Sequence, residues 1–248
     1  MLTEEVIDLR RRLILQLVFT AVLTALLALP VHALDYAQVD ALIISKDVAE
    51  IERAIEMLEE HLGQQPQDGE ALWLAGKAYL YLGDRTDGDR LRVFEKGKEY
   101  TDKAVELVPD SPDAHYWLAA LIGRIGQTRG ILSSLFMVRP MKDALDRALE
   151  LDENYAPAYW VLSQLYQQAP GFPLSIGNKK QALENAQRAV ELEPQNLEFQ
   201  LQLARALDHN GKEKEARDLL QQIRSNPALK ADPEILQEVE EQASEWKL

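Results

Sequence analysis

The chain of 248 residues contains no cysteine. Structural disulfides, thiolate metal sites, a cysteine nucleophile and a lipid-modified cysteine are therefore all excluded. Histidine is nearly as scarce. His32, His61, His115 and His209 are the full set, and they lack metal-ligand spacing. Base is short relative to acid: 27 lysines and arginines stand against 41 aspartates and glutamates, for a formal charge of −14. A protein that binds a phosphate backbone is usually basic, so no nucleic-acid partner is expected. No recognisable motif assembles a nucleophile, a base and an orienting acid. Most carboxylates fall on the solvent faces of amphipathic helices, where charge is ordinary. The sequence reads as a non-enzyme without cofactor or metal.

What is present begins with an N-terminal segment of targeting character. Arg10, Arg11 and Arg12 precede an uncharged apolar run from Leu13 to Leu29. Pro30 follows, and Val31-His32-Ala33 fits a small-x-small cleavage site. The run also reaches the lower length of a membrane span. Residues 1–33 are expected to be a cleaved signal peptide, with Leu34 as the new terminus, or an uncleaved anchor. Either way residues 34–248 are expected outside the cytoplasm, in the periplasm or tethered to the inner membrane and facing outward.

The rest of the chain is repetitive. One helix ending occurs three times: at Lys103-Ala104-Val105-Glu106-Leu107, Arg147-Ala148-Leu149-Glu150-Leu151 and Arg188-Ala189-Val190-Glu191-Leu192. The spacings are 44 and 41 residues. Self-similarity at such a period signals a stacked helical array. Helical periodicity starts at Asp47, a suitable N-cap, and places Ile51, Ala54, Ile55, Leu58 and Leu62 on one face. Helices are expected over residues 48–64, 69–82, 91–108, 112–126, 141–152, 156–168, 179–193, 197–210, 213–225 and 233–246. A brief helix before them can cover 35–43.

Within each unit the inner stripe repeats a pattern. Leu72, Ala75, Gly76, Tyr79 and Gly83 are followed by Gly97, Ala104 and Pro109. The next copies read His115, Leu118, Ala119, Ile122, Gly126 and Ala148, then Tyr159, Leu162, Ser163, Tyr166, Ala182, Ala189 and Pro194, then Gln200, Leu203, Ala204, Leu207, Gly211, Ala216 and Leu220. This arrangement resembles the tetratricopeptide repeat (TPR) family, with His115 a departure from the large apolar residue expected there. The resemblance implies an all-α solenoid of helical hairpins. About four repeats and a partial N-terminal one would fill residues 34–248, closed by a polar capping helix from Ile235 to Trp246.

The departure from the family lies in expanded turns within the repeats, at Asp84–Lys96, Gln127–Pro140 and Gly171–Lys180. Inserts at one place in successive repeats emerge on one edge. Two of them are apolar, which makes Phe136, Met137, Phe172 and Ile176 candidate wall residues. Residues 114–142 contain no acid and supply Arg124, Arg129 and Arg139; Lys179 lies in the next insert. These basic groups would either pair with neighbouring acids or hold a small anion or carboxylate. The stretch from Ile122 to Asp152 also resembles the periplasmic T-component group of tripartite carboxylate transporters and, more weakly, the helical-repeat domain of the regulators of microtubule dynamics. The transporter resemblance implies a periplasmic partner of a substrate-binding protein, typically anchored through a cysteine that this chain lacks. The overall reading is an exported scaffold with a protein partner, possible accessory to a transport or envelope assembly. The alternative is a small-anion carrier.

Overall fold

In the computed structural model, which describes residues 34–248, most helices start at a short polar side chain. It accepts a hydrogen bond from an otherwise unpaired N–H of the first turn. Helix α1 covers Tyr36–Ile44 and α2 covers Val48–Gln64, with Asp47 accepting from the Glu50 N–H as expected. Asp68 caps α3 (Gly69–Arg85), Asp89 caps α4 (Arg90–Leu107) and Ser111 caps α5 (Pro112–Arg129). Then come α6 (Ile131–Leu151), α7 (Ala156–Gln168), α8 (Lys179–Leu192), α9 (Leu197–His209), α10 (Glu213–Ser225), a 3-10 turn at Pro227–Ala231 and α11 (Pro233–Glu245). Among the described residues there is no strand, only an isolated bridge between Gly171 and Gly177. The expected signal or anchor at residues 1–33 lies outside the described residues. No helix of the described residues is long and apolar enough to cross a membrane.

The helices stack as hairpins, α3 on α4, α5 on α6, α7 on α8 and α9 on α10, with α1 and α2 ahead of them and α11 behind. The thrice-repeated ending shows why its alanine is constant. Ala104, Ala148 and Ala189 are fully buried, and each carbonyl accepts the N–H of the residue closing its helix, Val108, Asp152 and Glu193. His115, the departure from the pattern, is buried and its ring nitrogen lies 2.9 Å from the Pro109 carbonyl oxygen.

Two of the three expanded turns are largely helical. In the first, α3 runs on to Arg85 and α4 already begins at Arg90. In the second, the expected helix start near residue 141 is corrected to Ile131, because α6 passes straight through Pro140. Proline normally ends a helix by deleting a hydrogen bond and crowding the preceding turn. Packing overrides that here: Val138 is buried, and Met137 and Met141 lie over Gly126 and Gly123 of α5. The join is the single residue Gly130 at φ 97°, ψ 178°, a conformation open to glycine alone among the residues. Only the third insert is a loop, tied back by the Gly177 N–H to the Pro170 carbonyl at 2.8 Å and the Asn178 N–H to the Tyr166 carbonyl at 2.9 Å.

The array turns far enough for its ends to meet. Lys46, in the turn after α1, lies 2.9 Å from Asp232 and 2.8 Å from Glu234 at the start of α11. Arg85 reaches the same Glu234 at 2.7 Å and donates from Nε to the Lys46 carbonyl at 3.1 Å. Burial pushes the Lys46 ammonium down, but its hydrogen bonds to Glu234 and Asp232 outweigh this and hold it above the usual lysine range. Burial likewise raises Asp232, and the Lys46 bond and the Ile235 N–H more than reverse it, holding the carboxyl below the usual range.

The sign of the pH dependence follows. The Asp232 contribution is present above the unfolded carboxylate pKa and lost as pH falls through its depressed folded value. The Lys46 contribution is present below the unfolded lysine pKa and lost as pH rises through its raised folded value. The clasp is therefore complete between the carboxylate and lysine ranges. Lys46 has a left-handed φ of 63°, so methionine, which keeps the backbone preference, is the useful replacement. For partly exposed pairs Lys46→Met should cost about 1 kcal/mol, or about 2–4 °C in Tm, at neutral pH. The difference should shrink in about 1 M salt and below the carboxylate range. Thermal melts of both proteins across pH check this.

Candidate functional site

Where the array curves back on itself, its inner side holds a half-open cavity of about 830 Å³. The first helix of each hairpin supplies most of the wall: Tyr81 from α3, Tyr116 and Trp117 from α5, Trp160 from α7 and Glu198 from α9, with Glu234 and Glu238 from α11. The lengthened α6 adds Leu135, Met137 and Met141 along one side. The aromatic rings touch one another. Tyr116 and Trp117 meet edge to face at 4.9 Å between centroids, and Tyr81 lies 6.3 Å from Trp117. On α3, the Lys77 ammonium sits 5.2 Å from the Trp117 ring centroid and is bonded to Asp40. Gln202 braces the α7–α9 contact, donating from Nε2 to Ser163 Oγ at 2.9 Å and Gln167 Oε1 at 3.0 Å.

Charges around the cavity are matched with one exception. Arg124 Nε bridges both Asp84 oxygens at 2.9 and 3.1 Å. Arg205 binds Glu238 at 3.1 Å and donates from Nε to Gln242 Oε1 at 2.8 Å. Lys46 and Arg85 are taken up by Asp232 and Glu234. The exception is Glu198. Burial pushes its carboxyl above the ordinary range, with Lys46 opposing and Asp232, Glu238 and Glu234 adding to the rise. Tyr81 and Tyr116 are raised in turn, first by burial and then by neighbours that include Glu198.

The residues singled out from the sequence divide in two. Arg124 and Met137 line the cavity. Arg129, Phe136, Arg139, Phe172, Ile176 and Lys179 do not. Arg129 pairs with Glu95, and Lys142 of the same acid-free stretch with Asp146. Arg139 and Lys179 are exposed. Phe136 and Phe172 are 79% and 93% exposed, in the company of exposed Ile131, Leu132 and Leu174, so much of the apolar inserts stays at the surface. Ile176 packs against the core formed by α5, α6 and α7.

Missed from the sequence were the aromatic walls and Glu198. A signal for the walls exists. One residue beyond the first position of each repeat pattern stand Trp73, Tyr116, Trp160 and Leu201, and the last three of this large apolar column line the cavity.

These features define a class: a tetratricopeptide-repeat solenoid with lengthened hairpins and a concave inner surface. The tetratricopeptide repeat profile matches residues 177–234. The profile of the family Regulator of microtubule dynamics protein 1-3 matches residues 35–168, more than half of the chain, and the chain belongs to that family. Of the two closer resemblances drawn from the sequence, these matches support the regulators of microtubule dynamics. Regulator of microtubule dynamics protein 1 of Bos taurus is 26% identical over 110 residues, which is 43% of this chain and 34% of the bovine protein. The chain thus matches about a third of that relative's length. A thermophilic TPR protein from Thermus thermophilus superposes with a TM-score of 0.65 at 19% identity, covering 86% of this chain and 96% of the other. MamA from Desulfovibrio magneticus does so with a TM-score of 0.51 at 20% identity, over 76% and 91%. At these identities the likeness is one of fold.

The Arg124–Asp84 pair ties α5 to α3 at the cavity edge, and both groups are partly exposed. A double-mutant cycle with Arg124→Ala and Asp84→Ala should give a coupling of about 0.2–1 kcal/mol by chemical denaturation. Arg139→Ala, which removes no pair, should leave stability within about 0.5 kcal/mol of wild type.

Proposed function

We propose that the chain is a non-catalytic scaffold that holds a segment of a partner protein in its inner cavity. TPR proteins commonly bind protein partners, which supports this reading. The observation that carries the finer reading is the cavity itself, concave and walled by the first helices of successive repeats. Apolar and aromatic walls with a few oriented polar groups are the usual form of a recognition site. The small-anion alternative draws less support, because Arg124 and Arg129 are already paired with carboxylates.

A cavity-filling variant tests the scaffold. Gln164 lines the cavity from α7. Gln164→Trp should leave the helical circular dichroism and Tm close to wild type and abolish retention of any protein captured by the wild-type chain. Equal capture by both proteins would move the binding surface elsewhere.

We further propose that the scaffold works outside the cytoplasm, in the service of a transport or envelope assembly. The support is the arginine cluster, apolar run and Val31-His32-Ala33 of the N-terminal sequence. N-terminal sequencing of protein from an extracytoplasmic fraction should begin at Leu34 if the segment is cleaved, and at Met1 in a membrane fraction if it is an anchor. Intact chain in the soluble cytoplasm would contradict both.

A further inference from the structure

The cavity's charge inventory does not close. Its lining includes four cationic side chains, Lys46, Arg85, Arg124 and Arg205, and four carboxylates, Asp84, Glu198, Glu234 and Glu238. Every cation is committed: Lys46 and Arg85 to Glu234, Arg124 to Asp84, Arg205 to Glu238. Glu198 is left over. Among the described residues its carboxylate makes neither a hydrogen bond nor an ion pair, and burial and the nearby Asp232, Glu238 and Glu234 disfavour its charge, with Lys46 opposing them. A half-buried carboxylate with no bonded counter-charge is disfavoured, and a cation that reaches it relieves the cost.

The neighbouring walls suit such a cation. Tyr81, Tyr116, Trp117 and Trp160 line the same space. Aromatic faces attract ammonium and guanidinium groups, most strongly where water is excluded. The chain already uses these rings in that way, since the Lys77 ammonium lies 5.2 Å from the Trp117 centroid and 6.0 Å from that of Tyr81. The net charge of −14 also raises the local concentration of basic partners and speeds their arrival.

We propose that the cavity recognises a lysine or arginine side chain of the partner segment, seated among Tyr81, Tyr116, Trp117 and Trp160 with its charge on Glu198. This deepens the scaffold reading and rests on it. It fixes the chemistry of the partner: a basic residue flanked by small or apolar ones that can enter the half-open cavity.

The test uses the full chain and capped tripeptides with lysine, leucine or glutamate between two alanines. Binding is followed through the indole N–H signals of Trp73, Trp117, Trp160 and Trp246 by nuclear magnetic resonance. The lysyl peptide should shift the Trp117 and Trp160 signals, leave Trp246 unmoved, and bind more tightly than the leucyl one. The glutamyl peptide should produce no shift. Glu198→Gln keeps the shape and removes the charge, so it should weaken the lysyl peptide about tenfold or more and leave the leucyl peptide unchanged. Lysyl and leucyl peptides binding alike, equal lysyl binding by the variant, or no shift with any peptide would each overturn the proposal. Those outcomes are separable from failure of the scaffold reading, which stands or falls on partner capture by the Gln164→Trp variant.

Discussion

The architecture depends on how closely the two helices of each hairpin approach. Helices α3 and α4 cross where Gly76 faces Gly97. A Cβ on Gly76 would lie 2.2 Å from Thr101 Cγ2 and 3.2 Å from the Gly97 carbonyl oxygen. Ala119, Ser163 and Ala204 hold the matching place in the later hairpins, and all three are fully buried. Each small residue fixes one interhelical distance. Taken in series, these distances decide where α11 arrives relative to Lys46. The meeting of the two ends is thus a sum of local contacts, trimmed by four charged side chains, and the half-open cavity is its by-product.

The same arithmetic explains why chemistry gathers inside the array. The outer helices of the hairpins carry ordinary solvated charge, such as the Arg147–Glu150 and Arg188–Glu191 pairs one helical turn apart. Inner positions see neighbours from several repeats at once, so Tyr81, Trp117 and Glu198 come together from three separate hairpins. Residues that lie far apart in sequence acquire a common, partly desolvated environment. There a single unmatched carboxylate matters far more than the many carboxylates outside.

Much of the fold was legible because burial writes a regular code. Ala104, Ala148 and Ala189 recur at one fully buried place in each hairpin, and that recurrence revealed the hairpins. The start of α6 was not legible. Pro140 is a local stop signal, and only the contacts of Val138, Met137 and Met141 with α5 overrule it. The exposed side of that same segment, Ile131, Leu132 and Phe136, hid the helical stripe beneath a continuous apolar run. The site was legible in part. Arg124 and Met137 drew notice through composition, whereas Glu198 is one carboxylate among many and becomes distinctive only when its neighbours are counted in space. The Lys46–Asp232 contact had no local signature, since the partners stand 186 residues apart.

That contact alters how the array comes apart. In an open solenoid each repeat answers only to its neighbours, and the terminal repeats fray first. Here the turn after α1 and the start of α11 share Lys46, Arg85, Asp232 and Glu234, so loosening one terminus withdraws support from the other. The two ends are thereby coupled to one another as well as to their neighbours in the stack. Folding carries the corresponding cost, because the last contact to form closes nearly the whole chain.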